Sequence, residues 1–321
     1  MRVDGSPIAH QAAADTWAAR RSQLRARRAA YQRVLFVVLC LVWGTTWIAL
    51  KAGAMAVPPG FFSGTRWTTA GLLLLAWRWA QGQRIGFPPR LAGRLGLVAL
   101  LMIALNAVVM LYGLRLVGSG LAAVINSALT PIALLGFGVA AGQERFSRRQ
   151  LGAIALGVAG IVVLFGPSAF RGELDGRELL GAIGVILGCL CYAAGSVLAR
   201  PLMRSLSPAH VAASTNLVGG LMLLVAAVLF EPGARAAASG HWGWAAWAAW
   251  LYMLGPASLG ATTIYFLLVR DWGASRTGTY AFVSPAIAVL LGVTIYGERL
   301  DAASAAGMAL MLLAAALVLR R

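Results

Sequence analysis

From residue 34 onward the chain is a succession of apolar stretches, each near the length that crosses a bilayer, separated by short polar breaks. A spanning helix needs about 20 mostly apolar residues. Coarse boundaries fall at 34–54, 60–80, 95–114, 119–141, 149–166, 178–199, 209–230, 243–268, 275–296 and 302–319. The breaks coincide with proline, glycine and charge, as at Pro58-Pro59, Pro88-Pro89, Pro167 and Pro232-Gly233. In 321 residues this leaves no room for a sizeable soluble domain. The composition agrees: 60% of residues are hydrophobic, only 12% are charged, and the mean hydropathy is +0.78. The expectation is an all-α integral membrane protein with ten transmembrane helices.

A net charge of +17 raises nucleic acid as a partner. The basic residues, however, are scattered at the edges of apolar stretches instead of clustering on a polar surface, so nucleic acid is not expected and the bilayer is. Residues 1–33 form a basic tail carrying Arg20, Arg21, Arg25, Arg27, Arg28 and Arg33. Such a region before an apolar run resembles a signal peptide, but the run from Val34 is long enough to span and lacks a small-residue cleavage pattern, so a retained first helix is expected. The tail reads as a solvated, disordered arm, with a basic helix on anionic lipid as the other reading.

Ten spans put both termini on one side, and loop charge says which. With the N-terminus inside, the inside segments hold twenty of the 27 basic residues, among them Arg78, Arg84, Arg90 and Arg94 before the third span, and Arg145, Arg148 and Arg149 before the fifth. The outside loops are offset by acids such as Glu173, Asp175, Glu178 and Glu231. Both termini are therefore expected in the cytoplasm.

The sequence also resembles itself. Thr130-Pro131 and an apolar run to Glu144-Arg145-Phe146 match Ser284-Pro285 and an apolar run to Glu298-Arg299-Leu300 at an offset of 154. Cys40-Leu41-Val42-Trp43 matches Cys189-Leu190-Cys191-Tyr192 at an offset of 149, which also sets Lys51 on Arg200 and Pro59 on Pro208. Five spans per copy is an odd number, so the second copy enters the membrane from the opposite side. The expected architecture is two inverted five-helix repeats, residues 34–166 and 178–319, around a shared central site.

The motifs Trp43-Gly44-Thr45-Thr46-Trp47, Lys51, Pro58-Pro59, Arg66-Trp67, Thr130-Pro131 and Gly142-Gln143-Glu144-Arg145 resemble one EamA repeat. Ser284-Pro285 through Gly297-Glu298-Arg299-Leu300 resembles the end of another. The resemblance covers residues 34–319 and implies the ten-helix branch of the drug/metabolite transporter superfamily, whose members export amino acids and other small metabolites across the bacterial inner membrane. Similar proteins include exporters of aromatic amino acids. One departure stands out: Thr215-Asn216 occupies the second copy where the first has Arg66-Trp67.

Candidate substrate-binding residues follow from polar or aromatic groups placed within spans. Pro131 and Pro285 interrupt the fourth and ninth spans and free backbone carbonyls. Thr130 and Ser284 suit the repair of those kinks, whereas Asn126 and Tyr280, equivalent under the 154 offset, suit a cavity wall. Arg66 lies well inside the second span, where a lone guanidinium is costly. Two readings are open for it: a partner for a substrate carboxylate, or a structural bond to a neighbouring helix. Trp43 and Trp47 share a helical face, and Tyr192 is the repeat partner of Trp43; a wall for planar substrates and ordinary packing are both open. Tyr112 and Tyr265 are further candidates for that wall. Trp242, Trp244, Trp247 and Trp250 suit an interfacial belt.

No Asp or Glu lies well inside a span, and His10, His210 and His241 fall outside spans or at their ends. Facilitated export is therefore expected over proton-coupled antiport, with ion-coupled export of other metabolites as the alternative. A membrane enzyme needs paired acids, histidine clusters or an activated nucleophile, and no span supplies two such groups; a scaffold is the remaining class. Cys40, Cys189 and Cys191 read as small buried residues, and no cofactor or metal is expected. A small-molecule substrate and a monomer complete the reading.

Overall fold

A computed structural model of the chain describes residues 7–86, 88–117, 119–169, 176–296 and 302–319. The regular structure there is helical. The helices are α1 (Pro7–Ala56), α2 (Pro59–Ala80), α3 (Pro89–Ala99), α4 (Asn106–Leu114), α5 (Ser119–Ala140), α6 (Arg148–Ala169), α7 (Gly176–Leu202) and α8 (Pro208–Phe230). They continue as α9 (Ala234–Ala237), α10 (Trp244–Tyr252), α11 (Thr262–Trp272), α12 (Ala274–Thr277), α13 (Tyr280–Tyr296) and α14 (Ala302–Leu319). Two junctions are π-helical: Leu100–Leu105 joins α3 to α4, and Met253–Ala261 joins α10 to α11.

Proline and glycine set the boundaries. Pro59, Pro89 and Pro208 occupy the first turns of α2, α3 and α8, where a missing N–H costs no intrahelical bond. Gly273, at φ 91°, breaks the chain between α11 and α12 in a conformation that disfavours a side chain. Among the described residues, six helical stretches are long and apolar enough to cross a membrane: Arg20–Thr46, Pro89–Met110, Gly176–Leu202, Pro208–Phe230, Trp244–Trp272 and Ala302–Leu319. The outer face of the bundle is apolar, with Leu72, Val225, Phe230 and Leu313 exposed, as a lipid-facing surface requires.

Close helix crossings run through small residues, which let backbones approach where lipid supplies no hydrophobic drive. A side chain at Gly71 of α2 would meet the backbone of Leu217 in α8, and one at Gly220 of α8 would meet the backbone of Thr68 in α2. The 149-residue offset converts Gly71 into Gly220 and Thr68 into Leu217, so these two contacts are reciprocal. Gly160 of α6 and Gly307 of α14 cross in the same way, each against the other's carbonyl oxygen. The two π segments also correspond: a shift of 154 carries Leu100–Leu105 into Met253–Ala261.

The N-terminal arm is exposed, as at Arg20, Arg21, Arg27 and Arg28, but the expectation that it is disordered is corrected. From Pro7 the chain is helical without a break into the first apolar stretch, about 75 Å in all at 1.5 Å per residue. Alanine, arginine and glutamine dominate residues 11–33, all good helix formers with no proline or glycine among them. The base of this extension is fastened to the end of α11. Arg28 and Gln32 both donate to Asp271, at 3.0 and 2.6 Å, and the Trp272 indole donates to Gln32 at 2.9 Å.

The tryptophan belt is corrected in part. Trp244 is exposed, but Trp250 is buried and donates to Thr65 at 3.2 Å, while Trp242 stacks on Trp247 at 4.3 Å and packs against Phe61 and Phe62. The segment Gly297-Glu298-Arg299-Leu300 lies outside the described residues.

Candidate functional site

A cavity of about 300 Å³ lies between the helices, with a wall that is mostly apolar. α1 contributes Trp43 and Thr46, α2 Arg66 and Trp67, and the first π segment with α4 contributes Met102, Ile103, Asn106 and Met110. From the other side come Asn126, Ser127 and Thr130 of α5, Tyr192 of α7, Tyr265 of α11, and Tyr280, Ser284 and Pro285 of α13.

Four of its five rings pack on one another. Trp43 meets Tyr280 edge-on at 4.6 Å and Tyr265 at 5.3 Å; Tyr192 meets Tyr265 at 5.7 Å. Tyr265 is fixed by donating its hydroxyl hydrogen to Ser196 at 2.7 Å. The Tyr192 hydroxyl is buried and faces those of Tyr265 and Tyr280.

Arg66 supplies the charge. Its side chain is buried, its guanidinium lies 4.1 Å from the centre of the Trp67 ring, and Nη1 donates to the Ser258 hydroxyl. Among the described residues no carboxylate pairs with it, and its Nε has no hydrogen-bond partner. Trp67 spreads against the cation as a polarisable face, which offsets desolvation without neutralising the charge.

The π segment explains why Ser258 is there. Pro256 has no N–H to donate, and a π turn leaves bonds to be made over a wider register. Ser258 donates to the Met253 carbonyl at 2.9 Å and Thr262 to that of Ala257 at 3.2 Å, each five residues back. The Ser258 oxygen is thereby aimed at Arg66, while its own carbonyl accepts from Asn216 of α8 at 3.2 Å.

The α5 wall is held differently. Thr130 donates to the Asn126 carbonyl at 2.6 Å beside Pro131, the kink repair expected of it. Ser284, its counterpart beside Pro285, leaves its hydroxyl buried without a partner among the described residues. The Asn126 side-chain oxygen accepts from Cys189 at 3.3 Å, and Asn106 donates to the Gly188 carbonyl at 2.9 Å.

Of the expected site residues, Trp43, Arg66, Asn126, Tyr192, Tyr265 and Tyr280 come together on this cavity. Tyr112 does not: it is half exposed beside a separate cleft of about 90 Å³, with the Arg115 guanidinium 5.5 Å from its ring. The side chains of Trp47 and Lys51 lie outside the described residues. Sequence reasoning missed Asn106, Trp67 and the methionines Met102, Met110 and Met253. Asn106 carried a usable signal, as the one amide within the apolar stretch 95–114; the methionines carried none, since a core and a cavity wall use them alike.

The cavity holds no cluster of three metal-ligating side chains among the described residues. What its geometry offers is binding: one desolvated cation and a wall of rings with tyrosine hydroxyls.

Comparison with known proteins bears on what such a cavity serves. The profile of the EamA-like transporter family matches the chain twice, over residues 33–166 and 179–320. The uncharacterized inner membrane transporter YedA of Escherichia coli is 31% identical over 264 residues, 82% of each chain. The uncharacterized transporter YoaV of Bacillus subtilis is 24% identical, covering 80% of this chain and 85% of its own. Protein PagO of Salmonella typhimurium is 26% identical, with coverages of 84% and 86%. A crystal structure 21% identical in sequence superposes with a TM-score of 0.75 over 90% of this chain and 96% of the other, which establishes a shared fold.

Proposed function

The chain belongs to the EamA-like transporter family, and on that premise we propose that it is an inner-membrane exporter of small metabolites, amino acids first among them. Ten spanning helices, arranged as two inverted five-helix repeats with both termini in the cytoplasm, give alternating access to the central cavity. Support for the repeats comes from the two matched segments, the reciprocal Gly71 and Gly220 contacts, and the paired π segments. Inner-membrane residence is supported by the YedA relative and by the apolar outer face.

The observation that carries the substrate class is Arg66, a buried guanidinium on the cavity wall with no carboxylate partner among the described residues. A charge in that setting is costly until an anion reaches it. A substrate carboxylate supplies that anion through charge-assisted hydrogen bonds that a neutral or cationic solute cannot make. The rings of Trp43, Tyr265 and Tyr280 then favour a planar or apolar side chain on the same substrate. A volume at about the lower bound of ligand sites, ~300 Å³, suits a molecule of that size.

Among the described residues no acid lines the cavity. Export is therefore facilitated, driven by the substrate's own gradient, and one monomer is the working unit. The test is counterflow in proteoliposomes preloaded with unlabelled aromatic amino acid. Labelled substrate should accumulate transiently with the wild-type protein at any imposed pH gradient. Uphill accumulation driven by that gradient alone would contradict facilitated export, and no counterflow of any amino acid would contradict the substrate class.

A further inference from the structure

Where α5, α7, α11 and α14 end and α6 and α12 begin, a second cavity of about 320 Å³ shares no lining residue with the central one. Among the described residues its wall carries four arginines, Arg145, Arg149, Arg200 and Arg276, against one carboxylate, Glu144. That carboxylate is already occupied, accepting from the Ser275 backbone N–H at 3.1 Å.

Two of the arginines are built into the wall. Arg200 donates to the Gln143 carbonyl at 3.1 Å, and Arg276 donates to the Leu319 carbonyl at 2.6 Å with its guanidinium 4.6 Å from the centre of the Trp272 ring. Arg145 and Arg149 are exposed at the rim and enter no ion pair among the described residues. Gln143, Ser147, Gln150 and Ser275 add polar groups, and Trp272, Leu317 and Val318 form an apolar strip along one side. Beyond it the surface of α14 continues apolar, with Leu312 and Leu313 exposed.

A concave site lined by one sign of charge concentrates counter-ions, and arginine forks match phosphate oxygens better than any other anion holder. A free anion would need only the arginines. The joined apolar wall, leading onto a lipid-facing helix at the level where the spanning helices end, fits a phosphate that is attached to an acyl chain. We propose that this cavity binds the phosphate of an anionic phospholipid headgroup, with the acyl chain leaving along α14. The proposal needs the chain to sit in a bilayer and does not depend on what it transports.

The test uses full-length protein in phosphatidylcholine nanodiscs with and without a minor fraction of cardiolipin, read by native mass spectrometry for retained lipid and by thermal midpoint. The wild type should retain the anionic lipid and gain stability from it. The Arg145→Gln/Arg149→Gln double variant should lose roughly tenfold in retention, and Arg145→Lys/Arg149→Lys, which keeps the charge without the fork, should fall between it and the wild type and also reports correct folding. Arg90→Gln/Arg94→Gln removes two exposed charges outside the cavity and should change nothing. Equal loss in that control would overturn the site in favour of diffuse surface attraction. Stabilisation by inorganic phosphate in phosphatidylcholine discs, with no cardiolipin retained, would overturn the lipid as its ligand. Amino-acid counterflow is a separate readout, so failure here is distinguishable from failure of the proposed transport.

Discussion

The two halves of the molecule share a frame and differ in what they hang on it. α2 and α8 begin with equivalent prolines and cross through equivalent glycines. Yet α2 turns a guanidinium onto the cavity wall where α8 has Thr215, a fully buried hydroxyl that bonds its own helix at Val211 and Ala212. α5 presents an amide, Asn126, where α13 presents the phenol of Tyr280. The lesson is a division of labour: symmetry is kept where backbones touch, and lost where a substrate would be bound.

The sharpest way to break that comparison is to attack the shared frame. Gly71→Leu and Gly220→Leu each drive a side chain into the opposing backbone, and overpacking of this kind costs about 1–3 kcal/mol. Both should lower the yield of monodisperse protein by size exclusion to a similar extent, while Gly136→Leu, at a position open to space, should not. Unequal effects of the first two would argue against equivalent halves.

Next come the positions where the halves differ. Arg66→Ala should reduce amino-acid counterflow by about a hundredfold, since truncating one partner of a desolvated charge pair costs roughly 2–5 kcal/mol. Thr215→Ala removes only a bond within its own helix and should change transport less than about twofold. Comparable losses from the two would mean that the arginine is structural.

The smallest expected effect separates Thr130 from Ser284. Thr130→Ala gives up the bond to the Asn126 carbonyl and should lower the thermal midpoint in detergent by a step equivalent to about 1 kcal/mol. Ser284→Ala removes a buried hydroxyl with no partner among the described residues and should leave the midpoint unchanged or slightly raised.

Much of this frame was legible in the sequence because it rests on local signals. Proline and glycine mark helix starts, apolar length marks spans, and a fixed offset needs no knowledge of contacts. The second half of the stretch 243–268 shows where legibility ends. Hydropathy places the helix but is blind to the π register that aims Ser258 at Arg66, a partner 192 residues away in the chain. Tyr112 illustrates a related loss: membership of a span says nothing of helix rotation, and its ring turns toward Arg115 and away from the cavity. Trp250 seemed interfacial by its company, but its indole N–H finds Thr65 in the bundle. In the tail helix propensity outweighs charge repulsion, and its anchor, Asp271, comes from the far end of the sequence.

The central claim is that Arg66 reads a carboxylate. Inhibition of counterflow by an aromatic amino acid and by its decarboxylated amine, measured in parallel on the wild type and on Arg66→Ala, tests it directly. The account predicts that the wild type prefers the amino acid by at least about tenfold, within the ~1.5–3 kcal/mol of a hydrogen bond to a charged group, and that the preference vanishes in Arg66→Ala. An unchanged preference in the folded variant would contradict it.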